Sequence, residues 1–371
     1  MKITGGQVFD PERGFVARDV CFDGETLAAE SRDGETFDAS GCYVIPGLTD
    51  IHFHGCRGAD LSDADPDGLH KMAVHELSCG VTQICPASMT LTEEQLTAIC
   101  KTAAAYRASD QTGAELVGIH LEGPFLSEAK KGAQNGAWLQ KPNYEMLQRL
   151  MDASEGLVKI VSVAPELPGA MEFIRQASKD ITVSLAHTAA DYDTATEAFK
   201  QGARHATHLF NAMSPFAHQA PGVVGAAFDY PECRVELICD GIHIHPTVVR
   251  AVFRLFGADR VVLISDSLRA AGMPEGQYTL GGQDIIVRGA YATLTNGILA
   301  GSVTDLMNCM RRAVSFGIPL ADAVRAAAVN PAKAIGIYDR VGSLDVGKLA
   351  NLVVLDADLK LKAVFQRGTL V

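Results

Sequence analysis

Histidines and acids in this 371-residue chain gather at the ends of apolar runs, where they could act together. His52 and His54 form an HxH pair closing VIPGLTDIHFH (44–54). In a strand, residues i and i+2 face the same side, so two imidazoles there can share one metal ion. The pair also fits two polar residues at a strand mouth. Glu122 closes ELVGIHLEGP (115–124), and a carboxylate after such a run is costly to bury without a metal or an arginine partner. His187 ends ITVSLAHT (181–188), and His208 lies in ARHATHLFN (203–211). Each histidine alone fits a hydrogen-bonded structural role. Jointly, four imidazoles and one carboxylate predict a site for a divalent metal, zinc or iron(II) rather than calcium or magnesium. Asp266, in RVVLISDS (260–267), is then expected to take a proton from water activated at the metal and pass it to a leaving group. Its other reading is the N-cap of a following helix.

These residues need elements that bring them to one place. Eight short apolar runs alternate with amphipathic stretches such as LTEEQLTAICKTAAAYRA and AADYDTATEAFKQG. Besides the five above, the runs are GVTQICP (80–86), KIVSVAPE (159–166) and RVELICDGIH (234–243). The alternation predicts an α/β fold, a (β/α)8 TIM barrel over residues 46–335, with a doubly wound sheet as the alternative. The polar run ends favour the barrel, because there all strand ends converge on one face. No GxGxxG or GxxxxGK[ST] supports a nucleotide-phosphate cradle. Residues 1–45 and 336–371 share a style of short alternating strands and turns. They predict one small β-sandwich domain built from both termini.

Composition narrows the partners. The chain is 47% hydrophobic and 20% charged, enough apolar content for a sizeable core, and its formal charge is −12. That acidity argues against nucleic acid and anionic membrane surfaces. No apolar run reaches the length of a membrane span, and MKITGGQVFDPERGF lacks a signal core, so a cytoplasmic location is expected. Nine irregularly spaced cysteines without a CxxC read as reduced, mostly buried thiols rather than a zinc site.

The motifs PGLTDIHFHG, HLEGPF, AHT, THLFNAM, DGIH and SDS, with the tail GSLDVGKLANLVVLD, occur here in order. The chain thereby resembles the N-acetylglucosamine-6-phosphate deacetylases of the amidohydrolase superfamily over essentially its whole length. The resemblance implies that Glu122, His187 and His208 hold the main metal, that His52 and His54 allow a second ion, and that Asp266 is the proton shuttle. It implies hydrolysis of an acetamide, with His243 assisting at the oxyanion. It assigns sugar contacts to Asn211, Ala212, His243, Leu299, Ala300 and Gly301, and to the backbone at Ala133. It also implies a small amino-sugar substrate and a homodimer.

Two positions depart from the family pattern. HQAPG stands where the family has HREPG or GREPG, so Gln219 replaces the arginine that grips the sugar phosphate and Ala220 replaces the acid. KGAQN puts Gln134 where the family has histidine. A charge-assisted hydrogen bond contributes roughly 1.5–3 kcal/mol, so the first change predicts phosphate binding weaker by about one to two orders of magnitude unless another cation substitutes. His218, Arg269, Lys130 and Lys131 are the candidates. Three functions are therefore expected, in this order: a deacetylase of N-acetyl-D-glucosamine 6-phosphate, a deacetylase of the same mechanism for an unphosphorylated or differently substituted amino sugar, and an inactive sugar-binding or regulatory protein.

Overall fold

The computed structural model describes residues 1–31, 34–109 and 112–371. Its centre is a set of parallel strands buried along almost every residue. They are Leu48–Asp50, Val81–Ile84, the broken strand Glu115–Leu116 with Ile119–Leu121, Val158–Val163, Thr182–Leu185, His205–Ala206, Arg234–Ile238 and Val261–Ile264. Each pairs in parallel with the next in sequence. Continuous β-branched runs such as VVLI suit strands covered on both faces. Beyond the last strand, the Asp266 amide donates to the His52 carbonyl (2.9 Å), and the His54 amide donates to the Ser267 carbonyl (2.7 Å). The end of the eighth strand is thereby tied to the chain following the first.

Helices return the chain between strands and start where the sequence supplies caps. Thr92 and Gln95 form a capping box ahead of Glu93–Ala108, and Asp191 caps Tyr192–Lys200. Among the described residues, no helix is long and apolar enough to cross a membrane.

Strands from both ends of the chain form two further sheets. One contains Lys2–Thr4, Val20–Asp23, Thr26–Ala28 and Thr36–Asp38. The other joins Gln7–Asp10, Gly14–Ala17 and Tyr43–Pro46 to Leu352–Leu355, Leu361–Gln366 and Thr369–Leu370. Ile3, Val8, Phe22, Val44, Leu344, Leu352, Val354 and Phe365 share one buried cluster. All nine cysteines are free thiols, six of them buried, as the composition predicts.

Three features differ from the sequence expectation. The first run, 44–54, is split: Tyr43–Pro46 pairs in the terminal sheet, Leu48–Asp50 in the parallel set, and His52 and His54 lie past the strand's end, not within a strand. The sixth strand covers only His205–Ala206, because His208 and Phe210 adopt positive φ (28° and 74°) and leave the extended region. An antiparallel sheet of Gly276–Leu280, Gln283–Arg288 and Tyr291–Leu294 follows the eighth strand, where no element was expected.

Candidate active site

Glu122, 2% exposed, sits at the centre of the converging strand ends. His208 Nε2 lies 2.9 Å and His187 Nε2 3.1 Å from its Oε1. His52 Nε2 is 3.4 Å from Oε1, and His54 Nε2 is 3.3 Å from Oε2. Asp266 completes the group, with Oδ1 at 3.3 Å from His54 Nε2 and 3.7 Å from His52 Nε2. All five predicted metal-ligating residues and the predicted proton shuttle therefore meet in one place. His187, His208 and Asp266 all have positive φ (44°, 28° and 49°), a conformation that side-chain-bearing residues rarely adopt and that clusters at functional sites. Asp266 begins no helix, so its N-cap reading fails. Its amide and carbonyl instead join the chain after the first strand to Ser302.

The imidazoles are turned for metal binding. His52 Nδ1 faces Glu236 Oε2 (2.8 Å), His54 Nδ1 faces the Ala87 carbonyl (3.1 Å), and His187 Nδ1 faces the Lys130 carbonyl (2.9 Å). A carbonyl or carboxylate only accepts, so each ring donates from Nδ1 and turns Nε2 toward Glu122, where an ion would replace the second proton. Metal-ligating histidines are held in this way. Two donor sets, Glu122 with His187 and His208, and Glu122 with His52 and His54, each lie within 4.8 Å internally. The residues thus fit a divalent metal.

Electrostatics agree. Burial alone would suppress an imidazolium at His52, but the charges of Glu236 and Glu122 outweigh it and hold the group well above its usual pKa. Burial opposes charge at His54 too, yet bonds to Asp266 and Glu122 raise it to about 10. Burial raises Glu122, but His52 and the bonds from His187 and His208 overcome that and hold it well below the usual carboxylate range. The buried carboxylates demand positive charge, which a divalent cation meets. Cys56, His75 and Glu76 also lie close together, but Arg57 Nε donates to His75 Nδ1 at 3.2 Å, and its guanidinium disfavours a cation there.

A cavity of about 350 Å³ opens over this group. Ala133, Asn211, Ala212, His243, Leu299 and Gly301, to which the resemblance assigns sugar contacts, line it. Ala300 does not line it and is fully buried behind its neighbours. Gln134 lines it, but its side chain is committed: Nε2 donates to Glu122 Oε2 (2.7 Å), and Oε1 accepts from the Thr90 amide (2.7 Å). It therefore orients the central carboxylate. Gln219 is not brought to the cavity. It lies with His218 on an exposed loop pinched by the Ala217–Ala220 bridge. Of the other cations, Arg269 is engaged by Asp63 at 2.8 Å, and Lys131 pairs with Glu128. Lys130 is the one lysine or arginine among the described lining residues.

Sequence reasoning missed three contributors. Glu236 sits inside the seventh strand as the one acid in RVELI, a pattern break that could have flagged it. Asp240 holds His243 through Nδ1 at 2.7 Å. The unexpected sheet supplies Leu280 to the lining, and Gln283 Nε2 donates to the Ala133 carbonyl (2.6 Å).

Comparison with known proteins leads to the same chemistry. Residues 43–371 match the Amidohydrolase family. An N-acetylglucosamine-6-phosphate deacetylase of Bacillus subtilis is 39% identical over 332 residues, covering 88% of this chain and 84% of that protein. The crystal structure of N-acetyl-D-glucosamine-6-phosphate deacetylase from Mycobacterium smegmatis superimposes with a TM-score of 0.93 at 31% identity, covering all of both chains. An Asp-to-Ala mutant of the M. smegmatis enzyme, solved in complex with N-acetyl-D-glucosamine-6-phosphate, gives 0.92 at 32% identity, covering 100% of this chain and 98% of that one. With a divalent-metal donor set at the end of its parallel strands, the chain belongs to the amidohydrolase family, in the branch of the N-acetylglucosamine-6-phosphate deacetylases, and is a hydrolase of amide bonds.

Proposed function

We propose that the chain hydrolyses the acetamide of N-acetyl-D-glucosamine 6-phosphate to glucosamine 6-phosphate and acetate. The observation that carries this is the meeting of Glu122, four histidine Nε2 atoms and Asp266 beneath a sugar-sized cavity. The parallel sheet is read as a (β/α)8 barrel over 46–335, and the terminal sheets as a small β-sandwich domain of 1–45 and 336–371. Glu122, His187 and His208 would hold the main ion, zinc or iron(II), and His52 and His54 a second. When bound, the ion supplies Lewis acidity and activates water near neutral pH. In the ion-free protein Asp266 lies below the usual carboxylate range despite burial, through its bond to His54 and the charge of His52; an ion held by those histidines would supply that positive charge instead, leaving Asp266 ionised to accept the proton of water. It then returns that proton to the departing amine. His243, fixed by Asp240, faces the cavity to contact the acetamide or sugar, beside Asn211 and Ala212.

Lys130 takes the part of the missing arginine. Its position on the cavity wall favours a phosphorylated sugar. The second reading, an unphosphorylated or otherwise substituted amino sugar, is favoured by the exposed, uncharged Gln219. Comparing acetate release from N-acetylglucosamine with and without the 6-phosphate separates them. Free cysteines suit a cytoplasmic setting. Phe216, Phe228 and Leu255, each more than 40% exposed, suit a homodimer face.

A further inference from the structure

We propose that Glu236 is the positioning residue that assembles the metal centre and readies the His52–His54 pair for an ion. The proposal rests on the metal-dependent reading above.

Glu236 is fully buried in the Arg234–Ile238 strand, among apolar neighbours. Among the described residues, its ion-pair partners are histidines alone. An isolated carboxylate in such a place is costly, so its bonds must hold it there. Oε2 accepts from His52 Nδ1 (2.8 Å) and from the His208 backbone amide (3.1 Å). Oε1 accepts from His205 Nε2 (3.1 Å). One oxygen therefore joins two expected ligands that come from different parts of the sheet.

Each bond has a directional consequence. Because the carboxylate only accepts, His52 donates from Nδ1, and Nε2 is the ring atom left to give its lone pair to an ion in place of a proton. That Nε2 is buried, has no hydrogen-bond partner, and lies 3.4 Å from Glu122 Oε1. It is an unsatisfied donor atom aimed at the shared carboxylate, as an ion site requires. At His208 the bond restrains a residue with φ of 28°, whose ring Nε2 lies 2.9 Å from Glu122 Oε1. Glu236 thus sets the orientation of one ring and the backbone that carries another. It does not line the cavity.

Glu236→Gln separates positioning from packing. Glutamine has the same shape and keeps one oxygen for His52 and His208, but loses the charge. Zinc(II) titrated into chelator-stripped protein, followed by elemental analysis and calorimetry, reads each ion. Wild-type protein is expected to take up two ions per chain. Glu236→Gln should bind the first and weaken the second by about 10–100-fold, the usual effect of removing a partner behind a metal ligand. Cobalt(II) substitution should show an altered absorption spectrum for the second ion alone. His205→Gln, which removes only the Oε1 contact, should leave both affinities nearly unchanged. If Glu236→Gln lowers thermal stability but binds both ions as wild type does, Glu236 is a packing residue and the proposal fails. It fails equally if wild-type protein takes up a single ion. These titrations use no sugar, so failure of the proposed substrate leaves them readable.

Discussion

Asp266 contacts His54 Nε2 at 3.3 Å from one wall of the cavity, and the proton transfer is assigned to it. Asp266→Asn keeps the size and an oxygen but cannot accept a proton. It should cut kcat by roughly 10²–10⁴-fold while leaving metal content intact, read by steady-state kinetics and elemental analysis. A fall of less than about tenfold would assign the proton to another group. Asp266, Glu122 and the four histidines were legible in the sequence because a polar residue ending an apolar run needs a partner at that spot. The roles of Gln134 and Gln219 were not. Gln134 spends both halves of its amide on Glu122 and Thr90, whereas Gln219 is carried away on a loop whose path depends on tertiary contacts. Glu236 is less legible because it lies inside a strand, where a single acid among apolar residues marks no strand end.

Among the elements, the segment before Ser302 bears closely on Asp266. Gly301 has φ of 56°, and a Cβ there would meet Leu268 Cδ2 at 2.6 Å and the Asp266 carbonyl at 2.9 Å. Gly301→Ala therefore adds about 1–2 kcal/mol of backbone strain and pushes on the aspartate's own peptide. It should lower the melting temperature and reduce kcat/KM by at least about tenfold, since small misplacements at a reacting group are costly. Unchanged kinetics would show that this glycine serves neither Asp266 nor the cavity wall. The eight parallel runs and the helices between them were legible from β-branched runs and capping residues such as Thr92 and Asp191. The sheet spanning Gly276 to Leu294 was not, although QYTLGGQDIIVRGAYATL holds alternating residues and glycine turns. It falls outside the strand–helix alternation that marks the parallel strands. The sixth strand ends before its apolar run does because the last residues of that run are bent out of the sheet to form the site.

Across the whole molecule, the core shared by Ile3, Val8, Leu352 and Phe365 shows why both termini carry the same strand pattern: neither can bury its apolar face alone. Metal binding adds to this framework through the native state only. Stripping the metal should lower the melting temperature by several degrees, because an ion at about 100 times its Kd stabilises by about 2.7 kcal/mol. Calorimetry that finds equal melting with and without chelator would contradict the metal reading. Acetate release by the metal-loaded protein from N-acetylglucosamine 6-phosphate and from N-acetylglucosamine tests the central claim most directly. The phosphorylated sugar should be preferred in kcat/KM by at least about tenfold, as one charge-assisted bond from Lys130 implies, and Lys130→Met should erase that preference. Preference for the free sugar, or no acetate from either, would contradict the account.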